Sequence, residues 1–111
     1  MICADTFHEA HLARMESLRP DLVLVPYGWA AEKNEWPEHA RLLEELVCNI
    51  AKRWRCPVVG TDLVGVISQG KWRGRTYGGA SVVADADGRA LAVLADRDAE
   101  VRVVRVRPGR R

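Results

Sequence analysis

Residues 22–26 read Leu22-Val23-Leu24-Val25-Pro26, four branched apolar side chains in a row stopped by a proline. A strand with one wet face alternates apolar and polar residues. An unbroken apolar run is what a strand covered on both faces requires, as in a sheet flanked by helices. Upstream, Glu9 to Leu18 mixes Ala10, Leu12, Ala13 and Leu18 with charge, and Pro20 stops it, which predicts a helix. Downstream comes a loop with Gly28 and Trp29. Pro37 then suits a first helical turn, and Leu42, Leu43, Leu46, Val47, Ile50, Ala51 and Trp54 recur at helical spacing through a basic end, Lys52-Arg53. Pro57 to Thr61 predicts a second buried strand. Together these elements predict an α/β chain built on a parallel, doubly covered sheet.

Beyond residue 61, Gly65, Gly70, Gly74, Gly78 and Gly79 break up a long stretch, expected to be an irregular loop that folds close to something. Ser81–Ala84 and Ala90–Leu94 flank Asp85-Ala86-Asp87-Gly88, whose Asp-Gly pair predicts a hairpin. Val101, Val103 and Val104 or Val106 alternate with Arg102, Arg105 and Arg107, which predicts a half-exposed strand. Residues 107–111 read as a basic, disordered tail after a single domain spanning 1–106.

The 111 residues are 48% hydrophobic, enough for one core, and 17 basic against 15 acidic residues leave +2. Much of that excess sits between Arg105 and Arg111, so no basic face points to nucleic acid. The longest nearly apolar run, Leu22 to Ala31, is about half the length that spans a bilayer, so no membrane is expected. Three cysteines at irregular spacing fit neither a disulfide framework nor a zinc site, and the expected home is the reducing cytoplasm.

Cys3 raises a chemical question, because a thiol of pKa about 8.5 is mostly protonated at neutral pH and needs a base or cation to react quickly. Ile2-Cys3-Ala4-Asp5 with Phe7 and Glu9 resembles the nucleophile motif of the carbon-nitrogen hydrolase, or nitrilase, superfamily, with His8 where proline is usual. Leu22–Pro26, a Trp-bearing loop, Cys56–Gly65, and Tyr77–Ser81 followed by Asp85-x-Asp87-Gly88 follow in the order that this family shows. The resemblance runs from Ile2 to about Val106. It implies an α-β-β-α sandwich and a Glu-Lys-Cys triad that hydrolyses a nitrile or amide through a thioimidate or thioester, without metal or organic cofactor. By position Cys3 matches the nucleophile and the Ala4 N–H the oxyanion donor. The family's glutamate and lysine lie upstream of the cysteine, where this sequence has only Met1 and Ile2. The chain is therefore expected to be the C-terminal part of a longer enzyme, inactive alone, with a small nitrile or amide as substrate. It is also expected to be a homo-oligomer. The alternative is a non-catalytic partner or assembly subunit of a nitrilase-type protein.

Other residues carry a functional and a plain reading side by side. Trp29 and Trp36 follow a strand end, where open sheets bind ligands, and either line the substrate pocket or simply pack. Asp5 and Glu9 could orient the cysteine turn, with Asp5 as a helix cap the plain reading beside it. His8 and His11 read as a solvated helix face, Cys48 and Cys56 as small buried hydrophobes. Trp72 among Lys71, Arg73 and Arg75 reads as a pocket lid or a subunit contact.

Overall fold

A computed structural model describes residues 1–35 and 38–109. A 3₁₀ turn, Cys3–Phe7, leads into helix α1 (Glu9–Leu18), followed by strands β1 (Val23–Tyr27) and β2 (Ala30–Ala31) and the long helix α2 (Glu38–Trp54). Strands β3 (Val58–Asp62), β4 (Val64–Val66), β5 (Thr76–Gly78), β6 (Val82–Ala84) and β7 (Ala90–Val93) complete the chain. The expected helices have the predicted bounds, and the place of Pro37 lies outside the described residues.

Four strands form the main sheet in the order β1-β3-β6-β7. β1 and β3 are parallel, Val23 opposite Val58 and Val25 opposite Gly60, because α2 carries the chain back to the starting end. β3 with β6 and β6 with β7 are antiparallel, so the sheet is mixed rather than parallel. The β6–β7 hairpin closes as predicted. The Asp85 carboxylate accepts from the N–H groups of Asp87 and Arg89, and Gly88 takes the left-handed φ of +83° that the turn needs. Pro26 does not end β1. β1 is an edge strand, where a missing N–H costs no ladder bond, and the strand runs on to Tyr27.

Helix α2 lays Leu43, Val47, Ile50, Ala51 and Trp54 on the face formed by Val23, Val25, Val58, Val82 and Ala84, and these residues make the core. Gly60 lets the layers close up: a Cβ there would meet Val47 Cγ2 at 2.6 Å. Each such aliphatic side chain withdrawn from water contributes about 1.5–3 kcal/mol. The opposite face corrects the expectation of double cover. β1 alternates buried and exposed, with Leu24 60% and Leu22 45% exposed. The register row Leu24, Val59, Val83 and Ala92 loses cover towards the β1 edge, from 7% exposure at Val83 to 60% at Leu24. One helix layer covers one face, and the molecule is only 19 Å deep across its shortest axis.

Two further expectations change. The glycine-rich stretch contains β4 and β5, which pair antiparallel and join β2 in a second sheet, β2-β5-β4. Gly79 is crowded, against Ala95 O at 3.0 Å and Arg97 N at 3.1 Å, whereas Gly65 within β4 and Gly70 and Gly74 in the turn beyond it face open space. Residues 101–109 form no strand: Val101 is 97% and Val103 92% exposed. Alternation supplies the side-chain pattern of a strand but not its backbone pairing: the segment meets edge strand β7 through a side chain, Arg102 donating to the Val93 carbonyl at 3.4 Å. Further along, Gly109 donates its N–H to the Asp21 carbonyl at 2.9 Å.

Candidate active site

Cys3 opens the 3₁₀ turn with φ +38°, after Ile2 in extended conformation. A left-handed backbone costs a residue with a Cβ roughly 1–2 kcal/mol. Arg19 and Arg55 have similar angles where each ends a helix, the common place for one, and Ala80 and Arg97 have them in the segments after β5 and β7. Cys3 begins a turn, and that reason is absent. Three contacts hold it. The Asp5 carboxylate accepts the Ile2 N–H at 3.0 Å, the Thr6 hydroxyl donates to the Cys3 carbonyl at 2.7 Å, and the Asp5 N–H donates to the Ile2 carbonyl at 3.0 Å. Asp5 thus does both things read for it, capping the turn and orienting it. Ala4, whose N–H follows directly on Cys3, lies in the first residues of the turn.

Tyr27, at the end of β1, donates its hydroxyl to Thr6 Oγ1 at 3.2 Å and so joins the turn to the sheet. Burial pushes the Tyr27 phenol up to about 12, so at neutral pH it keeps the proton that it donates. Phe7 sets its ring edge-on to Trp29, with centroids 5.5 Å apart.

The Trp29 peptide is clamped on both sides. Its N–H donates to Asp62 Oδ1 at 3.0 Å, and its carbonyl accepts from the Gly78 N–H at 3.2 Å and from His39 Nε2 at 2.9 Å, which must therefore carry a proton. Burial raises Asp62 to about 6, against the amide donations of Trp29, Leu63 and Gly78 and the attraction of His39. The Trp29 ring borders two open clefts. The smaller, about 180 Å³, is closed by Ile67, Trp72 and Arg75; the larger, about 320 Å³, by Glu35, Glu38, His39 and Arg75.

Phe7, on the turn that Cys3 opens, is the residue that reaches Trp29; Cys3 and Ala4 line neither of the two clefts, and Trp36 lies outside the described residues. Glu9 faces elsewhere: Arg53 grips its carboxylate through two nitrogens, at 2.6 and 2.8 Å, and draws it below the usual carboxylate range. Among the described residues no hydrogen bond reaches the Cys3 sulfur. His11 sits 3.5 Å from the Asp5 carboxylate, and His8 stacks edge-on against His11. Cys56 is buried and Cys48 partly so, and in both burial raises the thiol. Trp72 is 55% exposed on the rim of the smaller cleft, with Lys71 Nζ 5.8 Å from its ring. No helix of the described residues is long and apolar enough to cross a membrane.

Sequence reasoning passed over Thr6, Tyr27, His39 and Asp62. Thr6 and His39 are the chain's buried polar side chains among the described residues, but a lone Thr or His in sequence says nothing of its depth. Asp62 alone carried a signal, an acid placed directly after an apolar strand.

No family model and no curated protein matches the sequence. Solved structures do match. A carbon-nitrogen hydrolase from Helicobacter pylori G27 superposes with a TM-score of 0.73 at 23% identity, over 89% of this chain and 36% of that one. A glutamine-dependent NAD+ synthetase from Acinetobacter baumannii gives 0.74 at 18% identity, over 90% and 17%. A mutant of the amidase from Nesterenkonia sp. AN1, carrying the acetamide moiety of fluoroacetamide covalently on its active-site cysteine, gives 0.66 at 20% identity, over 98% and 34%. The chain spans little more than a third of the length of these proteins at most. Its fold is that of the carbon-nitrogen hydrolases of the nitrilase superfamily, over a part of their length.

Proposed function

We propose that this chain supplies the nucleophile of a carbon-nitrogen hydrolase acting on a nitrile or amide, with Cys3 as the attacking group. The observation that carries the reading is the left-handed backbone of Cys3, held by hydrogen bonds at a turn with no helix end to explain it. Backbone strain that the surroundings over-determine collects at reactive sites. In the reaction a base takes the thiol proton and sulfur bonds to the nitrile or amide carbon. For an amide, the carbonyl oxygen becomes an oxyanion facing the Ala4 N–H; each such preorganised donor is worth about 3–4 kcal/mol of barrier. The carbon-nitrogen bond then breaks, ammonia or an amine leaves with the proton, and water hydrolyses the thioester, returning the thiol. A nitrile passes through a thioimidate instead. Trp29 walls the substrate cleft.

The base and the cation are a glutamate and a lysine by the family resemblance; among the described residues none hydrogen-bonds the Cys3 sulfur to fill either role, and Glu9 is held by Arg53. The second reading, a non-catalytic assembly subunit, draws on that same lack and on the bare sheet face at Leu22 and Leu24.

The test extends or co-expresses the chain with an N-terminal nitrilase-type segment that carries Glu and Lys, then follows ammonia release from a panel of nitriles and amides. Turnover should appear, and Cys3→Ala should abolish it, because no other thiol stands at the turn and the Thr6 hydroxyl there is buried and hydrogen-bonded. Near-normal turnover in that variant removes Cys3 from the role. Turnover that never appears favours the assembly subunit.

A further inference from the structure

Thr6 is 1% exposed and Tyr27 3%, and their hydroxyls meet inside the protein between the 3₁₀ turn and the end of β1. A threonine hydroxyl bonded to the carbonyl three residues back is by itself an ordinary local contact. Here the same oxygen also accepts from Tyr27 Oη, 21 residues away on the main sheet. The chain Tyr27 Oη–H, Thr6 Oγ1–H, Cys3 C=O therefore ties the peptide that joins Cys3 to Ala4 to the main sheet. That peptide directly follows the strained φ of Cys3 and carries the N–H of Ala4.

We propose that Tyr27 and Thr6 are positioning residues, a two-hydroxyl relay that holds the Cys3–Ala4 peptide so that the Cys3 thiol and the Ala4 N–H are presented together. The inference deepens the reading of Cys3 as nucleophile and rests on it for its catalytic meaning. The relay itself is a statement about geometry. Each hydroxyl has one replacement that removes it while nearly keeping the shape, Tyr27→Phe and Thr6→Val, and Thr6→Ser keeps the donor.

The test uses the 111-residue chain with two readouts at Cys3: its HN–Hα coupling with its carbon shifts, which report φ, and its rate of carboxamidomethylation followed by peptide mass spectrometry. Buried Cys56 serves in the same samples as the reporter of global opening. In Thr6→Val the Cys3 signals should leave the left-handed values and its alkylation should slow by about fivefold or more, the sulfur having lost the fixed orientation in which the turn presents it. Cys56 should be unchanged. Thr6→Ser should stay within about twofold of the parent, and Tyr27→Phe should move both readouts part of the way. The double variant should match Thr6→Val alone, since the two hydroxyls act in series. Native Cys3 φ and alkylation in Thr6→Val overturn the relay, as does a slowing that Thr6→Ser fails to rescue. If Thr6→Val unfolds, which a rise in Cys56 labelling reveals, Tyr27→Phe decides the matter, and unchanged Cys3 signals there overturn the relay. Failure here leaves the nucleophile test by Cys3→Ala intact, and failure there leaves these two readouts intact.

Discussion

The two faces of the main sheet are made of the same kinds of residue and end in different conditions towards the β1 edge. On one, Val25, Val58 and Val82 meet Leu43 and Val47 of α2 and are fully buried. On the other, Leu24 sits in the same strand between two buried valines and stands 60% exposed. Apolar character is a property of the strand; burial belongs to whatever packs on it. Leu22, Leu24 and the exposed edge of β1 form the kind of surface that seeks cover, so the chain alone is expected to associate.

The comparison breaks most sharply at Leu43. Leu43→Ala removes a side chain with no exposure and should cost about 2–5 kcal/mol of unfolding free energy in a denaturant melt. A loss below about 1 kcal/mol would mean that the α2 face is as loosely covered as its opposite.

A smaller effect is expected at Asp62, where the sheet meets the Trp29 loop. Its folded value of about 6 lies above the ordinary 3.8, so the native state holds the proton more tightly than the unfolded chain. That contribution is fully present below about pH 4 and is lost as the pH rises to about 6. Because Asp62 is only partly buried as a residue, the contribution is worth only about 1 kcal/mol once screening is allowed for. Glu9 and Glu38, drawn down by Arg53 and Arg41, act in the other direction and lose their contribution as the pH falls. The difference between parent and Asp62→Asn isolates the first effect. Stability profiles that run parallel from pH 4 to 7 would contradict it.

The smallest change in stability is expected at Leu24. Leu24→Ser should alter unfolding by less than about 0.5 kcal/mol and yet lower self-association in light scattering, since the side chain is mostly in water already. A cost like that of Leu43→Ala would show that Leu24 is covered in solution.

Much of the fold was legible, and for definite reasons. The α2 pattern Leu43, Val47, Ile50, Ala51 and Trp54 marks one helical stripe, and the Asp-Gly turn fixes a hairpin by local backbone chemistry alone. The Val101–Val106 alternation misled, because a period of two records what a strand would need and nothing about whether an edge is near. The glycines of 65–79 read as loop because three-residue strands such as β4 and β5 are too short to show any period. At the site, Cys3, Ala4 and Trp29 could be picked out by motif and by position after a strand. Thr6, Tyr27, His39 and Asp62 could not, since their partners lie 10 to 33 residues away in sequence.

By itself, the sequence determined the two helices, strands β1 and β3, the β6–β7 hairpin and the order in which they follow, since helical stripes, apolar runs and turn residues act over a few neighbours. It also singled out the cysteine, because the residues of that motif are contiguous. Only the tertiary structure decided that β1 is covered on one face, that Arg53 takes Glu9 away from the thiol, and that two buried hydroxyls reach the Cys3 peptide. Each of these depends on distance between residues remote along the chain, and local propensity carries no term for that distance.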